Sequence, residues 1–249
     1  MESKETIKIE ARNAPFSGER ETEMKKEKAV VLLSGGLDSA TCLAIALAEG
    51  FDVHTLTFQY GQRHQVELDA AKNIIDHAGI PQKQRHQISF DLREWGGSAL
   101  TSDIEVPDAE LDSKTVPVTY VPARNTIFLS FAAALAETIG AKTIYVGVNS
   151  LDYSGYPDCR PAFIKSFELT ATLGTKAVDE NWTFDVRAPL QFLTKAEIIR
   201  KGLELGVDYS LTHSCYNPKD DGTPCLKCDS CALRQRAFAE LGMKDPAIK

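Results

Sequence analysis

Apolar residues fall into short unbroken runs separated by longer amphipathic stretches, and the two alternate along most of the chain. Residues 29–33 (Ala-Val-Val-Leu-Leu) form a continuous apolar run that stops at Gly35-Gly36, the pattern of a strand buried on both faces. Helical character follows over 38–49, with Gly50 as its stop. The alternation then repeats. It predicts a strand over 53–58, a helix over 62–78 ended by Gly79 and Pro81, and a weaker strand over 86–90. Further on it predicts an apolar helix over 127–139, a strand over 142–148, a helix over 161–173, an extended segment over 182–186 and a helix over 194–205. This order implies an α/β fold, a parallel sheet flanked by helices.

Two regions depart from the rhythm. Residues 1–28 alternate charges with few apolar positions and no period, so they are expected to form a mobile N-terminal extension ahead of one domain over 29–249. Segments 91–122 and 149–160 are long for structureless loops, and such loops often carry function. Ligands of open parallel sheets bind beyond the carboxyl ends of the strands. Both loops and the glycine turn are therefore expected on one side of the sheet.

Composition narrows the classes. Of 249 residues, 43% are hydrophobic and 25% charged, the mix of a soluble globular protein. No apolar run reaches the ~18–20 residues of a membrane span. No apolar signal core follows the charged start, so a cytoplasmic protein without membrane contact is expected. Net charge is −7, and residues 1–28 hold seven Lys/Arg against seven Glu. The excess of acid thus lies in the body, which argues against a nucleic-acid backbone as partner.

The turn Leu33-Ser34-Gly35-Gly36-Leu37-Asp38-Ser39 joins a buried strand to a helix. Adjacent glycines let backbone N–H groups turn toward a phosphate, and the helix start adds its positive end. It lacks the GK[ST] ending of a Walker A loop and is not GxGxxG. A plain strand-to-helix turn capped by Asp38 or Ser39 would read the same way.

Four of the six cysteines, Cys215, Cys225, Cys228 and Cys231, are spaced C-x9-C-x2-C-x2-C. In a reducing compartment such crowding points to metal rather than disulfides. Four thiolates close a tetrahedral Zn²⁺ site, which would be structural and would pin a C-terminal helix near Leu233. An iron–sulfur cluster is the rival occupant. Cys42 falls on an apolar helix and reads as core, Cys159 has no assigned role, and His213 is spare beside a filled cluster.

The stretch Ser34 to Ser39 resembles the pyrophosphate-binding loop of the ATP-pyrophosphatase (PP-loop) superfamily. Residues 58–64, 121–125, 147–149, 152–158 and the terminal cysteines resemble the 7-cyano-7-deazaguanine synthase family of the queuosine pathway, over 29 to about 241. The resemblance implies an ATP-dependent C–N ligase that converts 7-carboxy-7-deazaguanine and ammonia to the nitrile through adenylated intermediates. It implies ATP contacts from Leu33 through Ser39 and on through Ala40, Thr41, Cys42 and Leu43. Asp38 and Ser39 become catalytic candidates, with Mg²⁺ on the phosphates and Asp38 as its contact. Arg63 and Lys195, each at a helix start, become phosphate clamps; solvated surface charge is the alternative for both.

Arg124 and the loop Asp152, Tyr153, Ser154, Gly155, Tyr156 and Asp158 are expected to bind the substrate. A carboxylate accepts the paired donors of a deazaguanine edge and the rings stack, while a ligand-free turn is the alternative. Residue 2 is Glu rather than the cysteine of an N-terminal glutaminase, so free ammonium is the implied nitrogen donor. A homodimer is implied as well. Two rivals are a tRNA thiolase or lysidine-type ligase of the same superfamily and a zinc-stabilised nucleotide-binding module without catalysis.

Overall fold

In a computed structural model, residues 26–62, 65–110, 115–151 and 156–248 are described. Five strands, β1 (Lys28–Leu32), β2 (Asp52–Gln59), β3 (Arg85–Ser89), β4 (Thr143–Tyr145) and β5 (Asp185–Arg187), form one sheet in the order β3-β2-β1-β4-β5. Every pairing is parallel. Six α-helices accompany them: α1 (Leu37–Ala48), α2 (Val66–His77), α3 (Arg124–Ile139), α4 (Pro161–Leu173), α5 (Lys195–Glu204) and α6 (Asp229–Glu240). None of the described helices is long and apolar enough to cross a membrane.

The central strand shows why both faces are covered. Ala29, Val31 and Leu33 point into one core with residues of α1, α2, α5 and α6. Val30 and Leu32 point into the other, with α3 and α4. Successive strand residues alternate faces, so an unbroken apolar run is what two buried faces require. Because β1 lies between β2 and β4, the crossovers leave it in opposite directions. That opens a crevice at the carboxyl ends of β1 and β4.

The boundaries differ from the sequence reading where side chains intervene. The helix expected from 62 begins at Val66, because Gln62 instead folds back: its Oε1 accepts from Tyr60 N–H at 2.8 Å and its Nε2 donates to Phe58 O at 3.1 Å. The fourth strand ends at Tyr145, not at 148, since the chain beyond it leaves the ladder to lie on α1. The fifth strand starts at Asp185. At the amino end, order begins before residue 29. Asp52 N–H donates to Glu27 O at 2.8 Å, and Lys28 Nζ donates to Ile139 O at 2.8 Å. The rest of the expected extension, residues 1–25, lies outside the described residues.

Candidate active site

A cavity of about 210 Å³ opens at the carboxyl ends of β1, β2 and β4. Its floor is the glycine turn. Gly35 has φ +96°, and a Cβ there would collide with the Glu67 carbonyl oxygen and come within 2.8 Å of Ala71 N. The bare glycine thus lets the first turn of α2 rest on the loop. Gly147 does the same on the opposite side, where a Cβ would stand 3.1 Å from Ser39 N. The N-cap of α1 is Gly36, which offers no side chain to its first turn. Ser39 Oγ accepts from Ser34 N–H at 3.2 Å and donates to Gly36 O at 3.0 Å, holding the loop's shape.

Lys195 and Asp38 face each other across this floor. Lys195 Nζ lies 2.8 Å from both carboxylate oxygens of Asp38. The lysine is placed by a capping box: Thr194 N–H donates to Glu197 Oε2 at 2.7 Å, and Glu197 N–H to Thr194 Oγ1 at 3.3 Å. A cation in a helix's first turn opposes the dipole, and Asp38 offsets that cost.

The far wall is aromatic. Phe58 and Phe128 stack with centroids 4.1 Å apart, and Tyr60, Tyr156 and Tyr216 line the same space. Arg124 stands among the tyrosines. Burial works against its charge, but Tyr60, Tyr156, Tyr216 and Asp158 outweigh it and raise the guanidinium's pKa. Burial pushes the Tyr60 and Tyr156 hydroxyls up. Tyr156 shares a 2.8 Å hydrogen bond with Thr119, from the long 91–122 segment.

Several expected residues stand elsewhere. Asp158 does not line the cavity. It is 5% exposed and its Oδ2 accepts from Asn125 N–H at 3.1 Å, capping α3 and so setting the start that carries Arg124. Ala40, Thr41, Cys42 and Leu43 are buried inside α1 rather than on the glycine turn, because the helix turns them into the core against β1 and α5. Thr41 Oγ1 donates to Leu37 O at 2.9 Å and shares a 2.8 Å bond with Tyr209 OH. Gly35 also lies beneath the cavity rather than on it. Arg63, Asp152, Tyr153, Ser154 and Gly155 lie outside the described residues. Cys159 lines the cavity, where burial, reinforced by Asp158, pushes its thiol up to about 12 and favours the protonated form.

Two lining residues escaped the sequence reading. Glu67, in the first turn of α2, has its carboxyl pushed up to about 7 by burial, with Arg124 working against the shift. Arg234, from α6, is 6% exposed. It donates to Asp245 at 2.7 and 2.9 Å, to Thr212 Oγ1 at 2.7 Å and to Tyr209 O at 2.9 Å. Glu67 falls in a segment already read as helical, and a carboxylate in a first turn attracts no notice. Nothing in the periodicity marks Arg234.

The four C-terminal cysteines come together, with their sulfurs within 4.8 Å of one another. The set fits one metal ion, since four thiolates at ~2.3 Å from zinc would be neighbours at roughly 3.8 Å. Backbone N–H groups of Cys225 and Asn217 point at Cys215 Sγ at 3.2 and 3.4 Å, and those of Lys227 and Cys228 at Cys225 Sγ at 3.4 Å. Such donors favour thiolates over thiols. The segment before the cluster reaches the glycine turn: His213 N–H donates to Gly35 O at 2.9 Å, and Leu37 N–H to Ser214 Oγ at 3.4 Å.

A family described as Queuosine biosynthesis protein QueC matches residues 28–242. The chain belongs to the QueC family. It is 60% identical over 223 residues to a 7-cyano-7-deazaguanine synthase of Paramagnetospirillum magneticum, covering 88% of this chain and 97% of that one. To the enzyme of the same name from Geobacter sulfurreducens it is 60% identical over 220 residues, covering 88% and 92%. To that of Syntrophus aciditrophicus it is 58% identical over 227 residues, covering 90% and 97%. Every cavity residue and every cysteine of the cluster lies inside the QueC match, and residues 1–27 lie before it.

Proposed function

We propose that this QueC-family chain makes 7-cyano-7-deazaguanine from 7-carboxy-7-deazaguanine, ammonium and ATP, as an ATP-dependent ligase. The observation that carries the reading is the division of one cavity into two chemistries. A glycine turn with the Lys195–Asp38 pair forms one half, and aromatic rings around Arg124 form the other. Oxide is a poor leaving group, so the substrate carboxylate must first be activated. Attack of its oxygen on the α-phosphorus releases pyrophosphate and forms a mixed anhydride. Ammonia displaces AMP to give the amide. A second adenylation at the amide oxygen, followed by loss of AMP and protons, leaves the nitrile.

The chain's own groups fit these steps. Backbone N–H groups at the α1 start, where the glycine N-cap supplies no side chain, would meet phosphate oxygens. Lys195 would turn from Asp38 to the departing pyrophosphate, while Asp38 would contact Mg²⁺ directly or through water. Mg²⁺ would neutralise phosphate charge there. Arg124 suits the substrate carboxylate, and the flanking rings suit a flat purine-like base. Zinc is the metal favoured for Cys215, Cys225, Cys228 and Cys231, as a structural ion remote from the chemistry. The working form is a cytoplasmic homodimer, as the family resemblance implies.

The test is product analysis. The chain, given ATP, ammonium and 7-carboxy-7-deazaguanine, should yield the nitrile with AMP and pyrophosphate. Absence of AMP would overturn the reading, and sedimentation at micromolar concentration tests the dimer.

A further inference from the structure

We propose that Glu67 is the base that deprotonates the ammonium nitrogen before it attacks the activated acyl carbon. This deepens the synthase reading above and rests on it, because ammonium must become ammonia before its lone pair can form a C–N bond.

The geometry selects Glu67 in three ways. Only two carboxylates belong to described residues lining the main cavity, Asp38 and Glu67. Both oxygens of Asp38 are held by Lys195. Glu67 also lines a second cavity of about 60 Å³ that shares part of its wall with the first, so it faces both. That chamber holds a water-sized group, whose share of liquid volume is ~30 Å³. Its lining includes Tyr60, Arg124 and Tyr216 beside Glu67. Finally, the glycine turn fixes the residue in place, because α2 rests on Gly35 through the Glu67 carbonyl. The base therefore sits on the same backbone contact that shapes the phosphate loop.

Charge around Glu67 suits the task. The titratable groups lining the second cavity with it are Tyr60, just after β2, Arg124 from α3, and His213, Cys215 and Tyr216 from the C-terminal segment. Asp38 and Lys195 stand elsewhere on the shared cavity wall. Burial makes Glu67 a stronger base than an exposed carboxylate, with a pKa of about 7, while Arg124 keeps it from going higher. A base that titrates near the working pH is the efficient one. In the step, the carboxylate takes one proton from ammonium, leaving ammonia and a neutral carboxylic acid. The nitrogen lone pair forms the C–N bond, and the C–O bond to AMP breaks with its electron pair leaving on AMP. The second proton shed by nitrogen passes to solvent.

The experiment compares two nucleophiles in the purified chain. Hydroxylamine is largely neutral near pH 7.5 and needs no base to free its lone pair. Glu67→Gln should lower amide formation from ammonium by about 100-fold or more, yet leave hydroxamate formation from hydroxylamine within about threefold of the parent. The parent's ammonium-dependent kcat should fall on the acid side of pH ~7, a limb Glu67→Asp retains and Glu67→Gln loses. Equal loss with both nucleophiles would overturn the proposal. So would a raised KM for the deazapurine acid with kcat unchanged, which would make Glu67 a reader of the base edge. Should Glu67→Gln fail to fold, the parent's profiles decide: an acid limb equally present with hydroxylamine refutes the role. A parent that forms no AMP with either nucleophile refutes the synthase reading instead.

Discussion

Lys195 Nζ sits 2.8 Å from both oxygens of Asp38, joining the first turns of α5 and α1 across the cavity floor. Their side chains are 10% and 24% exposed, so neither charge is fully hydrated. Each neutralises the other. Breaking such a pair costs more than exchanging it whole. Lys195→Met and Asp38→Ala should each lower unfolding free energy by ~1–3 kcal/mol, and the double variant by ~1 kcal/mol less than their sum. Urea melts of the four proteins measure this. ATP-dependent turnover should drop about 100-fold or more in either single variant.

The two loop glycines should respond differently to substitution. Gly36 has φ −80°, which any residue adopts, and a Cβ there would meet its nearest atom at an ordinary 3.4 Å while lining the cavity. The objection to a side chain at Gly36 is therefore space for phosphate rather than backbone strain. Gly36→Val should keep its stability within ~1 kcal/mol and lose ATP binding. Gly35→Ala should lose more than ~2 kcal/mol, because the strain and the collision with α2 both lie there. Thermal melts and nucleotide titration separate the two.

Away from the site, His54 Nδ1 and His86 Nε2 are 3.0 Å apart on neighbouring strands with stacked rings. Burial lowers the pKa of both, and for His54 the proximity of His86 adds to it. A folded pKa below the unfolded value of 6.5 means the unfolded chain binds more protons below that pH. The pair's contribution is thus complete above ~6.5 and declines as pH falls through the folded values. Urea midpoints at pH 7.5 and 5.5 should differ more for the parent than for His86→Gln.

Purified protein should carry about one zinc per chain and be colourless. Stoichiometric iron with sulfide would replace that assignment by a cluster. Cys228→Ser or a strong chelator should lower stability. It should also weaken ATP binding roughly tenfold or more, since the two hydrogen bonds from residues 213 and 214 to the glycine turn contribute ~1 kcal/mol each. Metal analysis and nucleotide titration of the same sample test both statements.

The chain's legibility follows the range of its interactions. β1, α1 and α4 could be read because buried strands are apolar throughout and helices end at glycine or begin at proline, which are local signals. The Gly35-Gly36 turn, the Thr194–Glu197 capping box around Lys195 and the cysteine cluster are local motifs in the same sense. Asp158, Glu67 and Arg234 are different. Asp158 reads as a ligand in a polar loop, and in the fold its Oδ2 also accepts from Asn125 N–H, 33 positions away. Burial raises the Glu67 carboxyl's pKa against the pull of Arg124, and Arg234 is held in place by Asp245 and Thr212. No window of sequence contains those partners together.

The bond from His213 N–H to Gly35 O ties the earliest turn of the fold to a segment 178 residues later, with consequences during synthesis. A nascent chain that has emerged through α5 already has its sheet strands and its glycine turn. It still lacks the backbone against which that turn is braced, and the Arg234–Asp245 pair that secures the opposite wall. Contacts of such long range form late. The glycine turn is therefore unbraced until residue 213 is in place, and a product truncated after α5 would hold a sheet without that brace or the Arg234–Asp245 pair.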